Sequence, residues 1–281
     1  WKETTQTMLL ILLGAIHGAV VLPSSPKDVA TDMSISVQDA LAHGKTRLAI
    51  ATPPALRFAG PAKTKNQLIG DPTTPPPDEW VRAADRELAL LFVEMFQAYQ
   101  QAVVVLFPDA KAQKAAQREW AKTAYKPRVV SRLADVTPAG FGGGAATPPK
   151  VLVLSRPSEA VVAAVEPLMS ALPSEVAVVL LNEEPGCAPP DYTPCYTLVD
   201  NPHPAWEGGL LYSAYPGPWA LAAAGANGAP KVFGTSKQRP TLAEIDAGFC
   251  KVVSDTNWFS GAGAAAALQR RVGAVESGVA S

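Results

Sequence analysis

Asp109, Arg156 and Asn182 stand just past the ends of three short apolar runs, Ala102 to Phe107 (with Pro108 between), Val151 to Ser155 and Val176 to Leu181. Runs of this kind, rich in Val and Leu and only five or six residues long, read as buried strands of a parallel sheet. In such sheets ligands sit beyond the C-terminal strand ends. An acid, a base and an amide on one edge, with Ser155, Glu183 and Glu184 beside them, would suit a small polar molecule or a nucleotide. Each also has a structural use. Asp109 can cap the next helix, Ser155 and Arg156 can open a loop, and Asn182 can close a turn through its side chain. No nucleophile elbow, paired carboxylate set or Cys–His pair accompanies them, so no catalytic residue is assigned. A ligand-binding enzyme and a non-enzymatic binding protein both stay open, with the second favoured.

Other chemistry is weakly represented. His17, His43 and His203 are far apart and show no metal-ligand spacing, so no metal site is expected. Gly44-Lys45-Thr46 resembles the end of a phosphate loop, but Asp39 occupies the position of the earlier glycine. The tripeptide also leads from helix to strand, the reverse of a phosphate loop. Gly140 to Gly144 precedes a strand and lacks the dinucleotide spacing; it reads as a linker. No cofactor is expected. Three cysteines in 281 residues, Cys187, Cys195 and Cys250, suit a reducing compartment. Cys187 and Cys195 flank a proline-rich loop, which leaves open a redox-sensing pair.

Tyr215-Pro216-Gly217-Pro218-Trp219 sets two prolines and a glycine between two aromatics. Prolines without amide hydrogens exclude it from mid-sheet, so it reads as an anchored turn between strands. Trp219 is expected to be buried, and Tyr215 and Trp219 are candidate contacts for a partner.

These residues need a frame. Val29, Met33, Val37, Ala40 and Leu41 recur at helical spacing up to the stop at Gly44. Arg47 to Thr52 reads as a strand. Asp78 is expected to cap a helix whose apolar stripe runs Val81, Ala84, Leu88, Leu91, Phe92, Met95 and Tyr99. Further helices are expected from Asp109 to Trp120 and Ser158 to Leu172. A strand is expected over Arg128 to Leu133. Residues 183–208 read mostly as loop, with a short strand near Tyr196. Leu210 to Ala214 and Trp219 to Ala224 read as strands, and Ala226-Asn227-Gly228 as a hairpin turn returning through Lys231 to Phe233. Thr241 and Glu244 form a capping box for a helix burying Leu242, Ile245, Phe249 and Val252. The alternation predicts an α/β fold: three layers, a mainly parallel doubly wound sheet and a C-terminal antiparallel extension. The division is an apolar segment at 1–22, one α/β domain at 23–255 and an Ala/Gly-rich tail at 256–281.

Composition bounds the partners. Hydrophobic residues make up 48% and the formal net charge is -1, so a large core is expected and nucleic acid is not. Met8 to Leu22 is almost purely apolar but shorter than the ~20 residues a spanning helix requires. Membrane contact through residues 8–22 is left open beside a buried or partner-covered segment.

Several pieces together resemble a chloroplast and cyanobacterial family of a domain of unknown function, the family that includes the plant Low PSII Accumulation three protein. They are Leu22-Pro23-Ser24-Ser25-Pro26, Gly44-Lys45-Thr46-Arg47-Leu48, Phe107-Pro108-Asp109, Val179-Leu180-Leu181-Asn182 and the Tyr215 to Trp219 block. Glu183-Glu184-Pro185 departs from the family, in which a proline and a basic residue are expected. The resemblance implies a chloroplast location on the stromal side of, or attached to, the thylakoid membrane. It also implies binding to a photosynthetic complex, a photosystem or an assembly intermediate, as an assembly or auxiliary factor. It supplies no catalytic residues.

Overall fold

Ser25 opens the first helix, its hydroxyl accepting from the Asp28 amide at 3.2 Å while Pro26 takes the first turn, where no amide is missed. The computed structural model describes residues 20–56, 58, 76–136, 148–169, 174–183, 189–224, 230–254 and 269–270. The glycine run at 140–144, Cys187, the 226–228 turn and all but a few residues of both terminal segments lie outside these. Helix α1 (Pro26–Ala42) stops at Gly44, whose φ of 73° suits glycine. The other α-helices among the described residues are α2 (Asp78–Met95), α3 (Ala110–Trp120), α4 (Glu159–Met169) and α5 (Leu242–Ser254).

Strands β1 (Arg47–Ala51), β2 (Val103–Leu106), β3 (Arg128–Val130), β4 (Val151–Ser155), β5 (Ala177–Leu181) and β6 (Thr193–Asp200) are all parallel. After a two-residue β7 (Trp206–Glu207), strands β8 (Gly209–Ala214), β9 (Trp219–Ala224) and β10 (Pro230–Ser236) add an antiparallel wing. The order across the nine strands is β10-β9-β8-β6-β1-β5-β4-β2-β3, and β11 (Gln269–Arg270) pairs with β7 outside it. The fold is therefore the expected α/β arrangement: a mainly parallel sheet with helices packed on it and an antiparallel C-terminal part.

Alternation along each strand sorts the core into two faces. Leu48, Ile50, Val103, Val105, Val151, Val153, Val179 and Leu181 pack with α1, α2 and α3. Ala49, Val104, Leu106, Leu152, Leu154, Val178 and Leu180 pack with α4 on the other. Helix α5 covers Leu211, Leu221 and Ala223 of the antiparallel wing, opposite the face that Leu210, Tyr212 and Ala222 turn toward α1.

Several expectations change in detail. Asp78 is the first helical residue of α2 and Pro77 its cap, without a side-chain bond. The helix ends at Met95, so Tyr99 leaves the stripe for an exposed 3-10 turn (Gln97–Ala102). The strand expected to reach Leu133 stops at Val130 and gives way to a 3-10 turn at Leu133–Val136. Leu242 is exposed, because the first turn of α5 overhangs the sheet, while Ile245, Phe249 and Val252 are buried. The short strand near Tyr196 is the eight-residue β6, a central strand. Pro194 masks it in sequence, and the register slips next to Ala49, where Pro194 pairs.

Candidate functional site

The C-terminal ends of β1, β4 and β5 meet at one point. The sheet ladder continues one residue past β4 and β5, with Arg156 N–H donating to Leu181 O and Asn182 N–H to Ile50 O, both at 2.8 Å. Both residues then adopt left-handed backbone, φ 47° at Arg156 and 50° at Asn182, which turns the chain sharply out of the sheet. Asn tolerates this region through its short polar side chain; Arg is strained there by about 1 kcal/mol.

The turn delivers the Asn182 amide beneath α2. Its Nδ2 donates to Asp85 Oδ1 at 3.1 Å, and its Oδ1 accepts from Thr52 N at 2.8 Å and Thr52 Oγ1 at 3.2 Å. Arg156 Nη1 lies 3.6 Å from Asp85 Oδ2, an ion pair longer than a direct hydrogen bond. The Asp85 side chain is 9% exposed and that of Arg156 50%, so the carboxylate is enclosed and the guanidinium reaches solvent. Burial raises the Asp85 carboxyl above its ordinary range, while the Asn182 bond and the Arg156 charge act against that rise. The cluster joins the end of β1, the ends of β4 and β5, and the second turn of α2.

Of the five expected contact residues, the fold brings Arg156 and Asn182 together. Asp109 keeps its structural use: Oδ1 accepts from the Ala112 amide at 2.7 Å and caps α3. Its strand, β2, is separated from β5 by β4. Asp85 and Thr52 were missed in the sequence. Asp85 falls on the buried stripe of α2 with Val81, Leu88 and Phe92, and a carboxylate at a core position was the available signal. Glu183 follows Asn182 and is half-buried; burial raises its carboxyl, and the charge of Arg239 partly offsets this.

The Tyr215 to Trp219 block stands apart on the antiparallel wing, with β6 and β1 between it and β5. The Tyr215–Pro216 bond is cis. Tyr215 N–H donates to Cys195 O at 2.9 Å and Gly217 N–H to Ala214 O at 2.6 Å. A Cβ on Gly217 would lie 2.8 Å from Ala214 O, so the turn excludes a side chain there. Tyr215 is half-buried with its ring edge-on to His43, centroids 5.9 Å apart. Trp219 is buried as expected, under the Arg239 guanidinium 5.6 Å from its ring. It helps line a groove of ≈ 660 Å³ between β9, β10 and α5. Cys195 is a free, buried thiol pushed up to about 12, mainly by burial. Among the described residues no group of three or more His, Cys, Asp or Glu could hold a metal ion, and no helix is long and apolar enough to cross a membrane.

Residues 23–187 match the family described as a domain of unknown function, DUF1995. The chain belongs to this family. The matched stretch carries α1 through β5 and the whole Asp85 cluster, and it ends before the Tyr215 to Trp219 block. The chain matches no curated protein and no solved structure.

Proposed function

We propose that this chain is a chloroplast binding protein that attaches to a thylakoid photosynthetic complex, a photosystem or its assembly intermediate, as an assembly or auxiliary factor. The observation that carries this reading is the state of the strand-end cluster. Where a doubly wound sheet usually offers free polar groups to a ligand, Asp85, Asn182 and Thr52 are already bonded to one another. They clamp α2 to the sheet, which suits a scaffold presenting its surface. The family membership and the resemblance described above support the same reading. So does the entry of the apolar N-terminal segment: Val20 and Leu22 pack against the α1 core while Val21 is exposed. A tagged chain should co-purify with a photosystem-containing complex from solubilised thylakoids, on the stromal side. Recovery only as a partner-free monomer would overturn the reading.

A second reading, a small-molecule site at the strand ends, is favoured by the half-exposed Arg156 on its strained backbone. It requires ligand binding that Arg156→Ala abolishes; an Arg156→Ala variant with unchanged ligand binding sinks it.

A further inference from the structure

The groove of ≈ 660 Å³ that Trp219 helps line runs between strand β10 and helix α5. Its volume lies within the roughly 300–1,000 Å³ typical of small-molecule sites. Register explains the space. Cross-strand partners share a face of the sheet, and Gly234 pairs with Leu221, whose side chain packs under α5. A side chain at 234 would therefore point toward α5, yet a Cβ there meets nothing within 4 Å. Trp219, Leu221 and Phe233 form the floor. Glu244, Gly248 and Val252, spaced four apart on one side of α5, form the wall. Gly248 keeps that wall close, since a Cβ on it would lie 3.2 Å from Leu221 and 3.3 Å from Phe233.

One end of the groove is polar, and what it offers is donors. Trp219 and Ser236 are register partners there. Trp219 is only 6% exposed, and a buried indole N–H ordinarily finds an acceptor. Trp206 does so, donating to Asp246 Oδ1 at 2.6 Å, whereas Trp219 Nε1–H donates to no described residue. The Ser236 hydroxyl accepts from the Gln238 amide at 3.2 Å and keeps its own proton to donate. The Arg239 guanidinium, 5.6 Å from the Trp219 ring, adds positive charge at this end, part of which offsets Glu183. The acid in the lining, Glu244, belongs to the opposite wall. Its Oε2 accepts from Thr241 N–H at 2.8 Å and Thr241 Oγ1 at 2.9 Å, so it is engaged in capping α5. Donors at one end of an apolar, ring-lined floor match a flat apolar body that carries an anionic acceptor.

We propose that this groove binds a small planar aromatic carboxylate, its rings laid over Leu221 and Phe233 and its carboxylate accepting from Trp219 Nε1–H and the Ser236 hydroxyl. The site is separate from the strand-end cluster, and its occupancy does not depend on docking to a photosynthetic complex. The probe is 2-naphthoate, titrated into the full chain by calorimetry and followed in parallel through the indole N–H resonances. It should bind and shift one indole resonance, the one that Trp219→Phe removes. Trp219→Phe should weaken binding about tenfold, the scale of one lost hydrogen bond to a charged group. Gly234→Leu should abolish binding by filling the groove, with a melting temperature near that of the unmodified chain. No packed neighbour has to move for its Cβ, so it keeps the test decisive if Trp219→Phe fails to fold. 2-Naphthylmethylammonium, with the same rings and the opposite charge, should bind at least about tenfold more weakly than 2-naphthoate, its ammonium facing donors instead of acceptors. Absence of 2-naphthoate binding, unchanged binding in folded Gly234→Leu, or equal binding of the cation would overturn the proposal.

Discussion

Asn182 makes three side-chain hydrogen bonds, two to Thr52 and one to Asp85, while holding a left-handed backbone, and two substitutions separate these roles. Asn182→Gly keeps the backbone accessible but strips the amide from Asp85 and Thr52. It should cost about 2–3 kcal/mol in urea unfolding, because a buried carboxylate loses its Asn182 hydrogen bond and keeps only longer-range partners such as the 3.6 Å ion pair with Arg156. Asn182→Ala should cost about 1 kcal/mol more, the added strain of φ 50° on a residue with a Cβ. Equal losses in the two variants would show that the backbone is not strained. Cysteine chemistry is predictable on the same scale. With its thiol raised to about 12 by burial, Cys195 should resist alkylation by iodoacetamide in the native protein at pH 8, while exposed Cys250 reacts. Modification of Cys195 at the rate of Cys250, read by mass spectrometry, would contradict its burial. Arg156 and Asn182 were legible in the sequence because each ends an apolar run. Asp85 was not, because a lone carboxylate in a helix normally faces water, and its partner sits 97 residues away.

Helix α5 shows what elements require of single positions. Gly209 begins β8 directly beneath it, and a Cβ there would collide with the Phe249 ring. Phe249 is fully buried against Trp206 and Phe233, centroids 5.8 Å and 5.3 Å away, so it has little room to yield. Gly209→Ala should therefore lift α5 and cost about 1–3 kcal/mol by overpacking. Gly234, on the edge strand β10, has nothing within 4 Å of the same added atom, and Gly234→Ala should leave the melting temperature nearly unchanged. A similar drop for both would mean that backbone freedom, not the Phe249 contact, governs these positions. Helices and the central strands other than β6 were legible from periodicity and continuous apolar runs, and the Thr241–Glu244 box is formed, with Thr241 N–H donating to Glu244 at 2.8 Å. Strand β6 was legible only as a short strand near Tyr196 because Pro194 breaks its pattern, and its place between β1 and β8 is set by long-range pairing that local sequence does not encode.

At the scale of the molecule, three acids sit where chain segments remote in sequence meet, and burial raises all three. Asp32 of α1 faces the Tyr212 hydroxyl at 3.4 Å, Asp85 of α2 faces the strand ends, and Glu183 follows β5 near Arg239. A carboxyl whose folded pKa is raised binds its proton more tightly in the native state. It favours folding most below its unfolded value, 3.8 for Asp85. That contribution is lost as pH climbs from there through the folded value. Asp85→Asn keeps the shape and removes the titration. The variant's stability relative to the unmodified chain should therefore improve as pH rises above 3.8 and level off once pH has passed the folded value, whatever fixed cost the lost pairing with Arg156 imposes. Urea unfolding of both proteins across that range measures the slope directly. A relative stability that falls with pH would mean that Arg156 and Asn182 outweigh burial, making the carboxylate a net stabilising charge and the clamp stronger at neutral pH. The sign of that slope thus decides whether the junction of α2 with the sheet holds together because of its ionised acid or in spite of it.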